Sequence, residues 1–94
     1  MTRSDLIDRI AELHPQLLAK DAEMAVRVIL EAITEALSRG DRIEIRGFGS
    51  FALNYKPPRK WRNPKTGEQL QVPAKYIPHF RAGLELRKRV DHDS

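Results

Sequence analysis

The chain has 94 residues and no cysteine, so we expect one domain, or one half of an intertwined dimer, without disulfides or thiolate metal sites. No apolar run is long enough to span a bilayer and no secretory signal opens the chain, which is typical of a cytosolic protein. The net charge of +4 is divided unevenly, since residues 1–41 sum to −3 and residues 42–90 to +9; such a field attracts phosphate polyanions or anionic lipid headgroups, although charge alone fits a solvated cationic face equally well.

A first helix is predicted near the start of the chain. Thr2 and Asp5 resemble a capping box, in which the side chain of each bonds the backbone N–H of the other. The apolar residues that follow recur at helical spacing, so the helix is expected over about residues 2–13 and ends before Pro15.

A second helix is predicted to begin near residues 19–21 and to run to about Arg39, with Gly40 as its C-terminal cap. Its apolar residues extend beyond one stripe, and a helix of this kind needs cover on more than one side. We expect a second chain to supply that cover, the alternative being a well-filled monomeric core. The helix residues assigned to the dimer core are Ile29, Ile33 and Leu37.

The stretch DRIEIRGFGSFALNY predicts a β-hairpin. Apolar and polar residues alternate on either side of a Gly-Phe-Gly reversal, with the period of half-buried strands. A third strand is predicted near Tyr76–Arg81, followed by a short helix carrying LELRKRV and a frayed tail, DHDS. Three aromatic residues complete the expected dimer core, since this residue type is more often core than ligand platform: Phe48, Phe51 and Phe80.

The segment between Tyr55 and Tyr76 predicts a long β-ribbon arm. Leu70 and Val72 alternate with glutamines, which indicates a returning strand, and three prolines favour edge or free-standing strands. Because a lone two-stranded ribbon is marginally stable in water, we expect the arm to be mobile when free and ordered by a partner. Its six cations stand against a single acid, Glu68, and they are Lys56, Arg59, Lys60, Arg62, Lys65 and Lys75.

The tip of that arm, RNPKTG, has the chemistry of a tight turn. A cationic ribbon that reaches on the order of 30 Å can follow a DNA groove while its Arg and Lys side chains neutralise phosphates. Local sequence alone favours a plain turn proline at Pro64. Its place at the end of a cationic arm favours a wedge that enters between base steps from the minor groove, where Asn63 can hydrogen-bond base edges.

Three motifs carry a resemblance over nearly the whole chain. RIEIRGFGSF, the RNPKTG tip and PHFRAG, in this order, resemble the bacterial HU and integration host factor family of DNA-bending proteins. Within it, MTRSDLIDRI and RIEIRGFGSF are most similar to the beta-type subunits, which pair with a distinct alpha subunit of integration host factor. The resemblance implies an α+β fold: an intertwined dimer with two N-terminal helices, a three-stranded sheet with a long β-ribbon arm, and a short C-terminal helix.

The whole chain is then expected to form a single HU/IHF-like DNA-binding domain. Its parts are a helical dimerisation body (1–40), saddle strands (41–54 and 76–81), a DNA-binding β-arm (55–75), a C-terminal helix (82–90) and a tail (91–94).

The resemblance also implies roles for single residues. Pro64 matches a proline that intercalates from the minor groove, and its neighbours match the rest of the tip motif. Glu44 and Arg46 match strand residues that lie at the DNA; we expect Glu44 to orient Arg46 or to accept from a base, or else to form a cross-strand salt bridge. The family usually has Gly where this chain has Trp61, which either packs on a sugar edge or points into solvent. The expected DNA-binding residues are Arg42, Glu44, Arg46, Lys56, Arg59, Lys60, Arg62, Asn63, Pro64, Lys65, Lys75 and Arg81.

The function implied is that of a heterodimer that sharply bends preferred sites on double-stranded DNA in the bacterial nucleoid, acting in transcription regulation, translation regulation and site-specific recombination without a cofactor or metal. The alternatives are an HU-like homodimer with little sequence preference and an RNA-binding or ribosome-associated protein. An enzyme is not expected, because His14, His79 and His92 are scattered with no paired nucleophile or clustered carboxylates.

Overall fold

The structure, a computed structural model, describes residues 1–91 and has an α+β fold in which two helices precede five strands and a third helix follows them. The predicted frayed tail and His92 lie largely outside the described residues, since only Asp91 of that tail is included. The elements are α1 (Arg3–Leu13), α2 (Ala19–Ser38), β1 (Ile43–Ile45), β2 (Gly49–Lys56), β3 (Arg59–Arg62), β4 (Gln69–Val72), β5 (Lys75–Ala82) and α3 (Leu84–Val90).

The end signals predicted for the two N-terminal helices are present, namely a capping box at the start of α1 and a glycine cap at the end of α2. The Asp5 N–H donates to Thr2 Oγ1 at 3.2 Å while the Thr2 N–H donates to Asp5 Oδ2 at 2.8 Å, which completes the predicted capping box. At the end of α2, Gly40 has φ +83°, and its N–H donates to the Leu37 carbonyl at 2.9 Å. The next N–H, from Asp41, donates to the Ala36 carbonyl at 2.9 Å, so the helix ends in a Schellman motif. This motif needs one residue in the left-handed conformation, which glycine adopts without a steric penalty.

The three-stranded antiparallel sheet has the order β1-β2-β5. The predicted reversal between β1 and β2 is present: the Phe48 N–H donates to the Ile45 carbonyl at 3.0 Å, and Gly47 takes φ +83°. Because side chains alternate along a strand, the pairing of Ile43 with Phe51, and of Phe51 with Phe80, gathers the apolar residues on one face. The opposite face is polar.

The aromatic residues of that apolar face form one cluster. The Phe80 ring lies 5.3 Å from the Phe48 ring and 4.8 Å from the Phe51 ring, at the tilted angles that aromatic pairs prefer. Nevertheless Phe48 is 44% exposed and Phe80 37% exposed. The three rings therefore pack as one cluster, but a single chain leaves Phe48 and Phe80 partly exposed to solvent.

The chain as a whole cannot complete a core on its own. Among the described residues only Ala22 and Val26 are buried apolar residues, while Ile29 is 55% exposed. The accessible surface is 8217 Å², against about 5,500 Å² for a compact monomer of this mass. The radius of gyration is 19.2 Å, against about 12 Å for a compact chain of this length. The alternative of a well-filled monomeric core is therefore wrong.

No helix among residues 1–91 has the length and apolar character needed to cross a bilayer.

Candidate nucleic-acid interface

The polar face of the sheet carries a shallow cationic groove. Ser50 of β2 lies opposite Glu44 of β1 on one side and Arg81 of β5 on the other, so these three side chains form a row across the sheet. Arg42 joins them through a 3.4 Å hydrogen bond from Nη2 to Ser50 Oγ. A groove of about 180 Å³ lies between Arg42 and Arg81, and its other lining residues are Ser50, Ala52, Asn54 and His79.

Glu44 is held by Arg42 rather than by Arg46. The Arg42 Nε donates to Glu44 Oε1 at 3.0 Å, and the two residues are neighbours on the same side of one chain segment. The expectations of a contact with Arg46 and of a cross-strand salt bridge are both wrong in this structure. Since the two side chains are 59% and 72% exposed, the pair contributes little to stability, on the order of 1 kcal/mol or less.

Arg46 does not lie on the strand as predicted, because β1 ends at Ile45 and Arg46 opens the turn that follows. The turn nevertheless keeps it beside the groove. Arg46 lines one open depression with Arg42, Glu44 and Arg81, so the structure brings these four predicted DNA-binding residues together.

The arm is a separate two-stranded sheet of β3 and β4 that continues the register of the body. The body ladder ends at the pair Lys56–Lys75, and the arm ladder begins at Arg59–Val72, with two residues left over on each strand. Three of these four residues are prolines: Pro57, Pro58 and Pro73. Since proline has no N–H to donate, the ladder is interrupted here without a shift of register.

The base of the arm places two like charges opposite each other. Lys56 and Lys75 are direct cross-strand partners, and both are exposed. Like charges in this arrangement destabilise a sheet, so the pairing is unfavourable in the free protein. An anion between the two ammonium groups would offset this repulsion.

The other arm cations are also uncompensated. Within residues 1–91 the four ion pairs involve Arg9, Arg39, Arg42 and Arg89, and none includes Lys56, Arg59, Lys60, Arg62, Lys65 or Lys75. The single arm acid, Glu68, lies within 4.0 Å of none of these cations. The described arm is thus a stripe of unpaired positive charge, a charge distribution that is typical of nucleic-acid-binding proteins.

The tip is a closed turn that presents Pro64. The Asn63 carbonyl accepts from the Gly67 N–H at 2.8 Å, and the Asn63 N–H donates to the Glu68 carbonyl at 2.9 Å. The Asn63 side chain accepts from the Lys65 N–H at 2.9 Å, an Asx turn, and Gly67 takes φ +73°. Pro64 is exposed at the outer end of this turn. Because the Asn63 amide oxygen is engaged within the turn, its NH₂ group is the part of the side chain left to donate a further hydrogen bond.

Trp61 lies on the arm three residues before Pro64. It is directly opposite Leu70 in the ladder and is 44% exposed. The sequence left open whether it points into solvent, and the register gives it instead an apolar cross-strand neighbour.

Three groove residues were not predicted from the sequence to lie at the interface: Ser50, Asn54 and His79. The signal that could have found them is the alternation of side chains along β2 and β5, since His79 of β5 lies opposite Ala52 of β2. Since Phe51 and Leu53 face the core, Ser50 and Asn54 must face the other side.

Within residues 1–91 no group of three or more His, Cys, Asp or Glu side chains is placed to hold a metal ion.

Comparison with known proteins gives one consistent result. A family model described as bacterial DNA-binding protein matches residues 1–91. Integration host factor subunit beta of Dechloromonas aromatica is 69% identical over 91 residues, which covers 97% of either chain. The subunit of the same name from Azoarcus sp. is 67% identical with the same coverage.

Solved structures agree with this result. An Anabaena HU protein crystallised with DNA superposes with a TM-score of 0.86 at 38% identity, covering 98% of this chain and 99% of that one. HU from Thermotoga maritima superposes with a TM-score of 0.66 at 31% identity, covering 97% and 100%.

Proposed function

The chain belongs to the HU and integration host factor family of bacterial DNA-binding proteins, and we propose that it is the beta-type subunit of a heterodimer that bends double-stranded DNA. The observation that carries the proposal is the arm: unpaired cations along a ribbon that ends in an exposed proline. The relatives at 69% and 67% identity bear the name of that subunit.

The partner is an integration host factor alpha subunit. The half-exposed Phe48 and Phe80, together with the exposed Ile29, provide an apolar surface that a second chain covers. Full burial of an exposed side chain of this kind contributes roughly 1.5–3 kcal/mol, and since these are about half exposed, covering each contributes roughly half as much, so assembly and folding are coupled. Residues 1–40 and the three-stranded sheet form the dimeric body. The arm expected over residues 55–75, whose own two-stranded sheet spans residues 59–72, is one of two. In this assignment Ile33, Leu37 and Phe51 complete the interface.

We assign DNA binding to the groove and the arm together. The groove cations Arg42, Arg46 and Arg81 bind phosphates where the duplex lies on the body, and the arm follows the minor groove outward. Each neutralised phosphate releases counterions, which is the main favourable term.

Bending is assigned to Pro64. Its rigid ring inserts between two base pairs, and unstacking a base step costs a few kcal/mol, a general figure for minor-groove benders that includes this family. Phosphate contacts along the bent duplex offset that cost. Sequence preference then comes mostly from DNA shape and deformability, because the minor groove distinguishes A·T from G·C and little more.

The reaction is a change of DNA shape with no bond made or broken, so we propose no enzymatic activity and no cofactor. The proposed location is the nucleoid in the cytoplasm, and the proposed roles are those that need bent DNA, namely transcription regulation and site-specific recombination.

A second candidate is a homodimer that binds DNA with little sequence preference. It is favoured by the superposition on HU proteins, with a TM-score of 0.86 for the Anabaena protein.

A binding experiment with a fluorescent A-tract duplex separates these candidates. The duplex is titrated with the chain alone and with an equimolar mixture of the chain and an alpha subunit. A heterodimeric subunit binds tightly only in the mixture, and an unrelated duplex competes poorly. Tight binding by the chain alone, with equal competition from any DNA, identifies the homodimer. Equal competition from duplex RNA contradicts both, since the wide, shallow A-form minor groove does not suit a narrow ribbon.

A further inference from the structure

The arm is an amphipathic ribbon, with its apolar residues on one face. The ladder pairs Trp61 with Leu70 and Arg59 with Val72, and by alternation these four side chains share a face. The other face carries the pairs Lys60–Gln71 and Arg62–Gln69 and is wholly polar. The three apolar side chains of β3 and β4 are therefore neighbours.

The arm depends on such neighbours for its order. A two-stranded ribbon without a packed face is marginally stable in water. Here β3 and β4 form a sheet of their own, and prolines interrupt the ladder that would anchor them to the body. Beyond the hydrogen bonds of its own ladder and tip, the arm gains its stability from cross-strand side-chain pairs.

We infer that Trp61 packs on Leu70 and Val72 and so holds the arm as a formed ribbon in the absence of DNA. Trp61 is thus a positioning residue: it keeps Lys60 and Arg62 side by side on the opposite face, where they meet the ligand. A preformed ribbon loses less conformational freedom on binding, which raises affinity without any contact between Trp61 and DNA. The arm is accordingly more ordered when free than its sequence suggested.

The consequence for affinity rests on the proposed function, but the order of the free arm does not. Trp61 is the one tryptophan of the chain, so its indole N–H gives a single resolved signal when only this chain is isotope-labelled within the assembled dimer. Backbone order parameters over residues 59–72 of the same sample report the ribbon directly, since rigid backbone gives about 0.85 and flexible backbone less than about 0.6.

The variants are Trp61→Thr and Leu70→Thr, which keep a strand-forming residue but remove the apolar pair, and Trp61→Phe as the conservative control. We expect arm order parameters to fall in both threonine variants and to recover in Trp61→Phe. The thermal midpoint of the dimer should not move, because the arm is a sheet separate from the body.

Affinity for the duplex should weaken by up to about fivefold in each single variant, the range expected for one cross-strand pair. The double variant should lose little more than either single one, because both remove the same contact.

Two outcomes overturn the inference. Unchanged order parameters in free Trp61→Thr, with weaker DNA binding, assign Trp61 to direct contact with DNA. Additive losses in the double variant exclude action through Leu70. If the wild-type dimer does not bind DNA at all, the proposed function fails while the order measurement still decides the role of Trp61.

Discussion

The opposed lysines at the base of the arm give the most quantitative prediction. Lys56 and Lys75 face each other across the ladder, exposed and without an acidic partner in the described chain. Replacing both with glutamine keeps side chains of similar length and removes the repulsion between them. The arm should therefore stay formed, and any change in binding reports lost phosphate contacts.

The size of the effect follows from counterion release. The logarithm of the binding constant falls with the logarithm of salt concentration by about 0.9 for each phosphate neutralised on duplex DNA. Two lost contacts reduce the slope by about 1.8. Between 50 and 200 mM salt the affinity of the variant should then fall about 12-fold less than that of the wild type.

Fluorescence anisotropy titrations of a labelled duplex at four or five salt concentrations measure that slope. The matched control replaces Arg9 and Arg39 with glutamine, since Glu12 and Asp41 already neutralise these two cations. The control should leave the slope unchanged. Equal slopes for wild type and Lys56→Gln/Lys75→Gln would refute the assignment of these lysines to phosphates.

Three further variants test the wedge, the dimer and the packing of the sheet. Pro64→Ala should reduce the bend angle in a gel phasing assay far more than the affinity, and an unchanged angle would contradict intercalation. Ile29→Asp should abolish the dimer in sedimentation experiments, whereas a monomeric protein would tolerate it at a residue 55% exposed. Gly49→Ala puts a methyl group 2.6 Å from the Phe80 ring, so the thermal midpoint should fall by several degrees, at about 1–3 kcal/mol; an unchanged midpoint would contradict this packing.

Local signals allowed much of the fold to be predicted. The capping box of Thr2 and Asp5, the left-handed Gly40 and the Gly47 reversal each depend on a few adjacent residues, so their chemistry determines the geometry. The alternation in β2 likewise placed Phe51 on the core face. Such features need no knowledge of distant parts of the chain.

The details that were missed depend on cross-strand register and on competition between side chains. Glu44 has two arginines within reach in sequence, and the pairing with Arg42 follows from the early end of β1 at Ile45. Trp61 meets Leu70 only because the two arm strands keep the register of the body through the prolines. Neither distance along the chain nor residue type determines that register.

Energy transfer between the two ends of a duplex measures whether this chain, together with its alpha partner, bends DNA through the arm. A duplex of about 35 base pairs is well below the persistence length of DNA and hardly bends unaided. With an A-tract included, energy transfer should rise strongly when both subunits are added, and Pro64→Ala should remove most of the rise. Salt-sensitive binding without any rise in energy transfer would exclude bending through the arm and identify a basic protein that coats DNA without bending it.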